Sequence, residues 1–313
     1  MNADGVQHDL QPTAIPANAV SPGAPPREIP RINAGIRMSS QARLELDYVR
    51  EGERTIVRHR HEGPLRALRS LHPEGLAICH TVIVHPPGGI VGGDRLDIVA
   101  GLGAGAHALV TTPGATRFYR SAGATAVQQV RLRLAEDARL EWLPLETICH
   151  AGALAESRLS FELAPRAELI GWDLLALGLP ASGADFDRGR VTQHIELPGV
   201  WLERGTIAAA DRRLLDSPLG WDGQRVLATL WFACGTPLAD ARREALLEAA
   251  RGTTGVHALA TSSGCTAPNS QVVVLRALAP RVEPAWTLLV QVWRRWRAVA
   301  WQLPAPLPRL WQT

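Results

Sequence analysis

The segment His85–Leu96, HPPGGIVGGDRL, sets an imidazole and a carboxylate near the two ends of a run of prolines and glycines. His85 and Asp94 are the residues there with a chemical use, since imidazole and carboxylate both ligate divalent metal ions. Pro86 and Pro87 fix the start of a turn. Gly88, Gly89, Gly92 and Gly93 supply positive φ or let two backbones approach closely. These six residues therefore need no role beyond shape, whereas His85 and Asp94 are not required by the turn. A phosphate cradle is excluded, because such a loop needs Lys and then Ser or Thr after its last glycine. Here Gly93 is followed by Asp94, which would repel the anion. The glycine spacing also misses the dinucleotide fingerprint, and no helical pattern follows it.

Other reactive residues are scattered. His59 and His61 alternate, and His80, His85 and His150 lie near Cys79 and Cys149 in sequence, a donor set that suits nickel, zinc or copper. Each also has an ordinary structural reading, as a small core residue or a side chain making one hydrogen bond. No G-x-S-x-G elbow occurs, and the cysteine in TSSGCTAPNS has no neighbouring histidine to act as its base. Cys79, Cys149, Cys234 and Cys265 lie far apart without a C-x-x-C pair, which argues against a zinc knuckle and a disulfide scaffold and for a reducing compartment.

The elements that must position these residues read mainly as strands. In VRLRLAEDARLEWL, Val130, Leu132 and Leu134 alternate with Arg131 and Arg133; in RLSFELAPRAELIGW, Leu159, Phe161 and Leu163 alternate with Ser160 and Glu162. DIVAGLGAGAHALVTT repeats the arrangement of strand, small-residue turn, strand. The turn alanines Ala106, Ala138 and Ala167 recur at roughly 30 residues, a period of stacked units. The expected fold is mainly β, layered and helically wound, with two C-terminal α-helices. The first helix is expected over TPLADARREALLEAARG, with Thr236 as N-cap, Pro237 in the first turn and Gly252 at its end. The second spans Pro284 to Leu303, with Trp286, Leu289, Val290, Trp293, Trp296 and Ala300 on one face and Pro304 as the stop. Between them, SQVVVLRAL reads as a buried strand. The tryptophan-rich face exceeds what one core needs, which predicts a partner-binding surface.

Of 313 residues, 46% are hydrophobic, enough for a large core, and the net charge of +3 selects neither nucleic acid nor an anionic membrane. Residues 1–31, rich in proline, read as a disordered extension, and 32–313 as a single β-rich domain. Three arginines interrupt the most apolar segment, so a membrane span is not expected and a cytoplasmic location is.

HPPGGIVGGDRL, TTPGATRFYRS (Thr111 to Ser121), LEWLPLETI and the terminal LPRLWQT together resemble the urease accessory protein family UreD, also called UreH. GPLRALRSLHPEG fits the family's early segment, so the resemblance runs from about Arg37 to the C-terminus. Its motif positions here include Thr111, Thr112, Arg117, Tyr119 and Arg120 as well as the glycine loop. The resemblance implies a helix-of-strands fold and a protein that is not an enzyme. It implies binding to the urease apoenzyme, assembly with UreF and the nickel-carrying GTPase UreG, and a water-filled tunnel through which nickel moves. No tightly bound cofactor is expected, only nickel in transit.

A conduit must hold its ion weakly, so scattered carboxylates and histidines suit it better than a closed cage. Asp94 matches the family's glycine-loop aspartate and, with His85, is expected on the nickel path. The family has Gly-Arg-Pro where Gly178, Leu179 and Pro180 stand, and Gly-Glu where Gly183 and Ala184 stand. The usual glutamate is thus missing at Ala184. Asp185 follows it, but on a strand its side chain would point to the opposite face. Arg309 and Trp311 in the tail are side-chain types enriched in binding anchors. The tail packing back on its own sheet is the other reading. A metal-dependent hydrolase using His85, Asp94 and His80 or His150 is the alternative from another functional class.

Overall fold

The computed structural model describes residues 39–312. The extension expected over 1–31 lies outside them. In chain order the strands are β1 (Gln41–Glu51), β2 (Arg54–Glu62), β3 (Arg66–Ala67), β4 (Ile78–Val84), β5 (Arg95–Leu102), β6 (His107–Thr111), β7 (Thr116–Phe118), β8 (Ala126–Leu134) and β9 (Arg139–Leu143). They continue as β10 (Thr147–Cys149), β11 (Leu154–Leu163), β12 (Glu168–Leu177), β13 (Arg190–Leu197), β14 (Trp201–Ala208), β15 (Val226–Cys234), β16 (Ser263–Thr266) and β17 (Val272–Ala279). The α-helices are α1 (Arg212–Asp216), α2 (Asp240–Thr254) and α3 (Val282–Trp296).

The strands form two stacked sheets. The first runs β14-β13-β11-β8-β5-β1-β2; the path of the second runs β16-β17-β15-β12-β9-β6-β4-β3. The chain alternates between them, β5 to β6, β8 to β9 and β11 to β12. Within each sheet the successive strands β5, β8 and β11, or β6, β9 and β12, pair in parallel. This is the layered, helically wound arrangement expected from the alternation. Its period is kept by the turn alanines: Ala106, Ala138 and Ala167 are fully buried, and the carbonyls of Ala106 and Ala138 accept from the amides of Arg139 and Glu168 in the next coil. The backbone ladder therefore continues through the turns, where a larger side chain would separate the coils.

The two sheets differ in pattern because they differ in cover. On β5, Leu96, Ile98, Ala100 and Leu102 are buried and their neighbours partly exposed, whereas β6 is buried at every position. The first sheet has one face in water. The second has sheet one on one side and helices on the other, so its strands read as unbroken apolar runs.

The helices correct two expectations. Helix α2 starts at Asp240 with Ala239 as N-cap, not at Thr236 and Pro237, and continues through Gly252 to Thr254. The amide of Leu238 donates instead to the Ser270 carbonyl at 2.8 Å, which holds this segment against the β17 side and delays the helix. The tryptophan-rich face of α3 is not a spare surface. Leu288, Leu289, Val292, Trp293 and Trp296 are fully buried, packed with Leu109, Ile170 and Phe232 from the second sheet. Arg297–Trp301 continues α3 as a π-helical turn, and Gln302 ends it at φ +54°.

Two buried carboxylates fasten this helix. Glu141 on β9 accepts from the Trp293 indole at 2.6 Å and sits 3.0 Å from His107 Nε2 and 3.3 Å from Arg297 Nε. Arg297, also fully buried, donates to Glu74 at 2.8 Å, and Glu74 is bonded to His80 Nε2 at 2.8 Å. Burial opposes ionisation of Glu74, but His80 and Arg297 outweigh it and hold its carboxyl below the ordinary value. Glu168 on β12 plays the parallel part, accepting from Trp301 at 2.5 Å and from Arg242 of α2.

Candidate functional site: a cavity between the sheets

Two of the sequence motifs meet in space. Ile90 of the glycine loop bridges to Phe118: its amide donates to the Arg117 carbonyl at 2.7 Å and its carbonyl accepts from Tyr119 at 2.9 Å. The glycines permit the approach. A Cβ on Gly89 would lie 2.0 Å from the Tyr119 ring, and one on Gly92 would lie 2.1 Å from Ser121 Oγ; Gly88 and Gly93 instead have φ of +75° and +92°. Both uses expected of these glycines occur. Pro86 and Pro87 are exposed at the tip.

The joined loops roof a cavity of about 220 Å³ between the sheets. Since one water needs roughly 10–15 Å³ of such space, it has room for a hydrated ion. His85, Gly88, Gly89 and Arg117 line its loop side; Gln128, Val130 and Ser157 line it from the first sheet, and Thr111, Trp142 and Asp173 from the second. The donor set is polar and dispersed. Burial moves the imidazole of His85 below its ordinary pKa, with the Asp94 charge working the other way.

Asp173 is the carboxylate that the sequence analysis did not select. It lies on β12, and its Oδ1 accepts from Gln193 Nε2 of β13 at 2.6 Å, joining the two sheets. Its Oδ2 makes no hydrogen bond among the described residues. Protein surrounds the carboxyl, and desolvation pushes its pKa up to about 6, with the Gln193 bond opposing the rise. The residue is part-buried and lines the cavity. An acidic residue in the middle of the apolar strand ELIGWDLLAL, besides Glu168 at its start, was the available signal, since an ionisable group there requires either a partner or water.

Asp94 is placed differently. It is 8% exposed, its Oδ1 accepts from the Ser40 amide at 2.8 Å and its Oδ2 from the Val91 amide at 2.9 Å, and it does not line the cavity. In this geometry it closes the glycine turn and ties it to the start of β1. Asp94→Asn is expected to cost about 1–3 kcal/mol, because one amide oxygen cannot accept both bonds and an NH2 would face a backbone N–H. Urea denaturation checks this; an unchanged midpoint would contradict it.

The remaining predicted residues hold structure around the cavity. Thr111 Oγ1 donates to the Leu143 carbonyl and accepts from the Trp311 indole, and Thr112 Oγ1 accepts from the Leu145 amide. Tyr119 stacks on His150 with centroids 4.7 Å apart, and Arg120 packs over Gly152. Trp311 lies among Trp172, Trp286 and Trp293, while Arg309 is exposed. The tail thus contributes to its own core. Ala184 and Asp185 lie exposed beyond a 3₁₀ turn rather than on a strand, so the alternation argument applied to Asp185 fails. All four cysteines are free and buried. Among the described residues no three His, Cys, Asp or Glu side chains converge to hold a metal ion, and His80 and His150 are engaged by Glu74 and Tyr119.

Comparison with known proteins agrees with the resemblance carried by the motifs. A family model described as UreD urease accessory protein matches residues 40–312. The chain is 60% identical over 276 residues to the urease accessory protein UreD of Variovorax paradoxus (strain S110), covering 88% of this chain and 100% of that one. It is 59% identical over 274 residues to urease accessory protein UreD of Polaromonas naphthalenivorans (strain CJ2), covering 88% and 99%. The same protein of Albidiferax ferrireducens is 61% identical over 274 residues, again covering 88% and 99%.

Proposed function

Because the chain belongs to the UreD family of urease accessory proteins, with a role in urease maturation, we propose that it binds apo-urease together with UreF and UreG and passes nickel through its inter-sheet cavity. The observation that carries this reading is the cavity itself, roomy, lined by apolar side chains with a few dispersed polar groups, and furnished with one strongly desolvated carboxylate, Asp173.

Nickel here is cargo. It stands high in the affinity order of divalent ions, so a closed set of ligands would retain it, whereas a single carboxylate beside amide and hydroxyl oxygens replaces little of its hydration. A cation near Asp173 favours the ionised carboxylate, which desolvation otherwise disfavours. The ion would thus meet one charge-assisted contact and then move on. The hydrolase alternative lacks the converging ligands a catalytic ion needs among the described residues. No helix among them is long and apolar enough to cross a membrane, and we place the protein's work in the cytoplasm with its partners.

Co-production of urease with UreF and UreG, in cells with and without this chain, tests the assignment. Nickel per urease active site is expected to fall to background without it. Fully loaded urease in its absence would overturn the reading.

A further inference from the structure

We propose that His59 and His61 form a weak nickel-capture site at the edge of the sandwich, an inference that rests on the nickel reading above. The two imidazoles lie on β2, the edge strand of the first sheet, with ring centroids 6.4 Å apart. Both are exposed, and neither makes a hydrogen bond or ion pair among the described residues. They differ in this from His72, His80, His107, His194 and His257, each of which has a hydrogen-bond partner. Alternation along the strand puts both rings on one face and the flanking Arg58 and Arg60 on the other.

The backbone spacing is fixed, because β1 pairs β2 with Leu46 opposite His59 and Leu44 opposite His61. Side-chain rotation alone can then bring one nitrogen of each ring to the roughly 2.0–2.1 Å that imidazole ligation of such an ion needs. Two imidazoles leave most of the coordination sphere to water. Such a site fills and empties readily, as a donor to a conduit must.

Its position adds a second, independent observation. Opposed residues across the first sheet form a row on the inner face: His61, Leu44, Ile98, Val130, Leu159. The last three line the cavity. His61 therefore heads the row that becomes the cavity wall, and the chain leaving it reaches another lining residue, Leu65, within one short loop. Captured nickel would begin at one edge of the sandwich, with only β1 between β2 and the first strand of that wall, β5.

Equilibrium dialysis of the full chain against nickel(II) alone tests the site. His59→Gln and His61→Gln are each expected to weaken binding by about tenfold or more, and the double variant further still, since each single change loses the chelate and the double also removes the remaining imidazole. Because the rings are exposed, melting temperatures should match wild type and show that folding is intact. Wild-type nickel affinity in the double variant would overturn the proposal. Asp173→Asn separates this from the conduit: the loss of dialysis binding caused by the histidine substitutions should be the same size in that background as in wild type. If the histidine variants bind normally while Asp173→Asn lowers urease loading, capture at this site fails and the passage stands.

Discussion

Glu141→Ala is expected to destabilise the fold by about 3–5 kcal/mol, the range for breaking a buried ion pair from one side. The carboxylate is fully buried and accepts the Trp293 indole, the His107 imidazole contact and the Arg297 guanidinium contact together. Its loss leaves three polar groups without that partner where water does not reach. Arg297 matters most, since it cannot shed its charge, it is fully buried, and its Nε and one terminal nitrogen already lack hydrogen bonds in good geometry. Among the described residues, Glu74 alone would still pair with it. Glu141→Gln, which keeps one oxygen, should cost less than the alanine change. Urea denaturation of the three proteins checks the ranking; a loss under about 1 kcal/mol for alanine would mean that apolar packing alone seats α3.

Asp173→Asn is expected to stabilise the protein at neutral pH and not at acid pH. Desolvation raises the Asp173 pKa from 3.8 to about 6, so the folded state binds this proton more tightly than the unfolded one. Wild-type stability therefore falls as pH rises from about 4 through about 6, by on the order of 3 kcal/mol from the linkage relation. Asparagine does not titrate, and its oxygen can keep the Gln193 bond. The two stability curves should run parallel below about pH 4, separate in favour of asparagine between there and pH 6, and run parallel again above it. Thermal or urea unfolding across that range checks the sign. A variant that loses ground as pH rises would mean that Asp173 is stabilised as a charge.

What was legible in the sequence follows from locality. The period of two in β8 and β11, the buried β17 and the stacked alanine turns are set by neighbours or by the next coil, and all occur as read. The glycine loop was legible in the same way, since positive φ and close approach leave few alternatives to glycine. The start of α2 was not, because a hydrogen bond from Leu238 to Ser270 overrides the local capping signal. The tryptophan-rich face looked surplus because the sequence does not reveal that the second sheet needs cover on both sides. Glu141 was visible only as part of a motif, and its partners Trp293 and Arg297 come from the far end of the chain. Asp94 and Asp173 show the limit most clearly. Both are single carboxylates in apolar surroundings, but one is saturated by backbone amides and the other faces a cavity, a difference decided by strands from both sheets.

The most direct measurement is nickel per active site in urease purified from cells producing Asp173→Asn at the wild-type level. The variant is expected to fold, to enter the accessory complex and to be the more stable protein at neutral pH, so a deficit cannot be ascribed to a damaged scaffold. The account predicts a severalfold drop in nickel occupancy and a matching drop in urease activity. Full occupancy with the variant would contradict a passage that runs past Asp173.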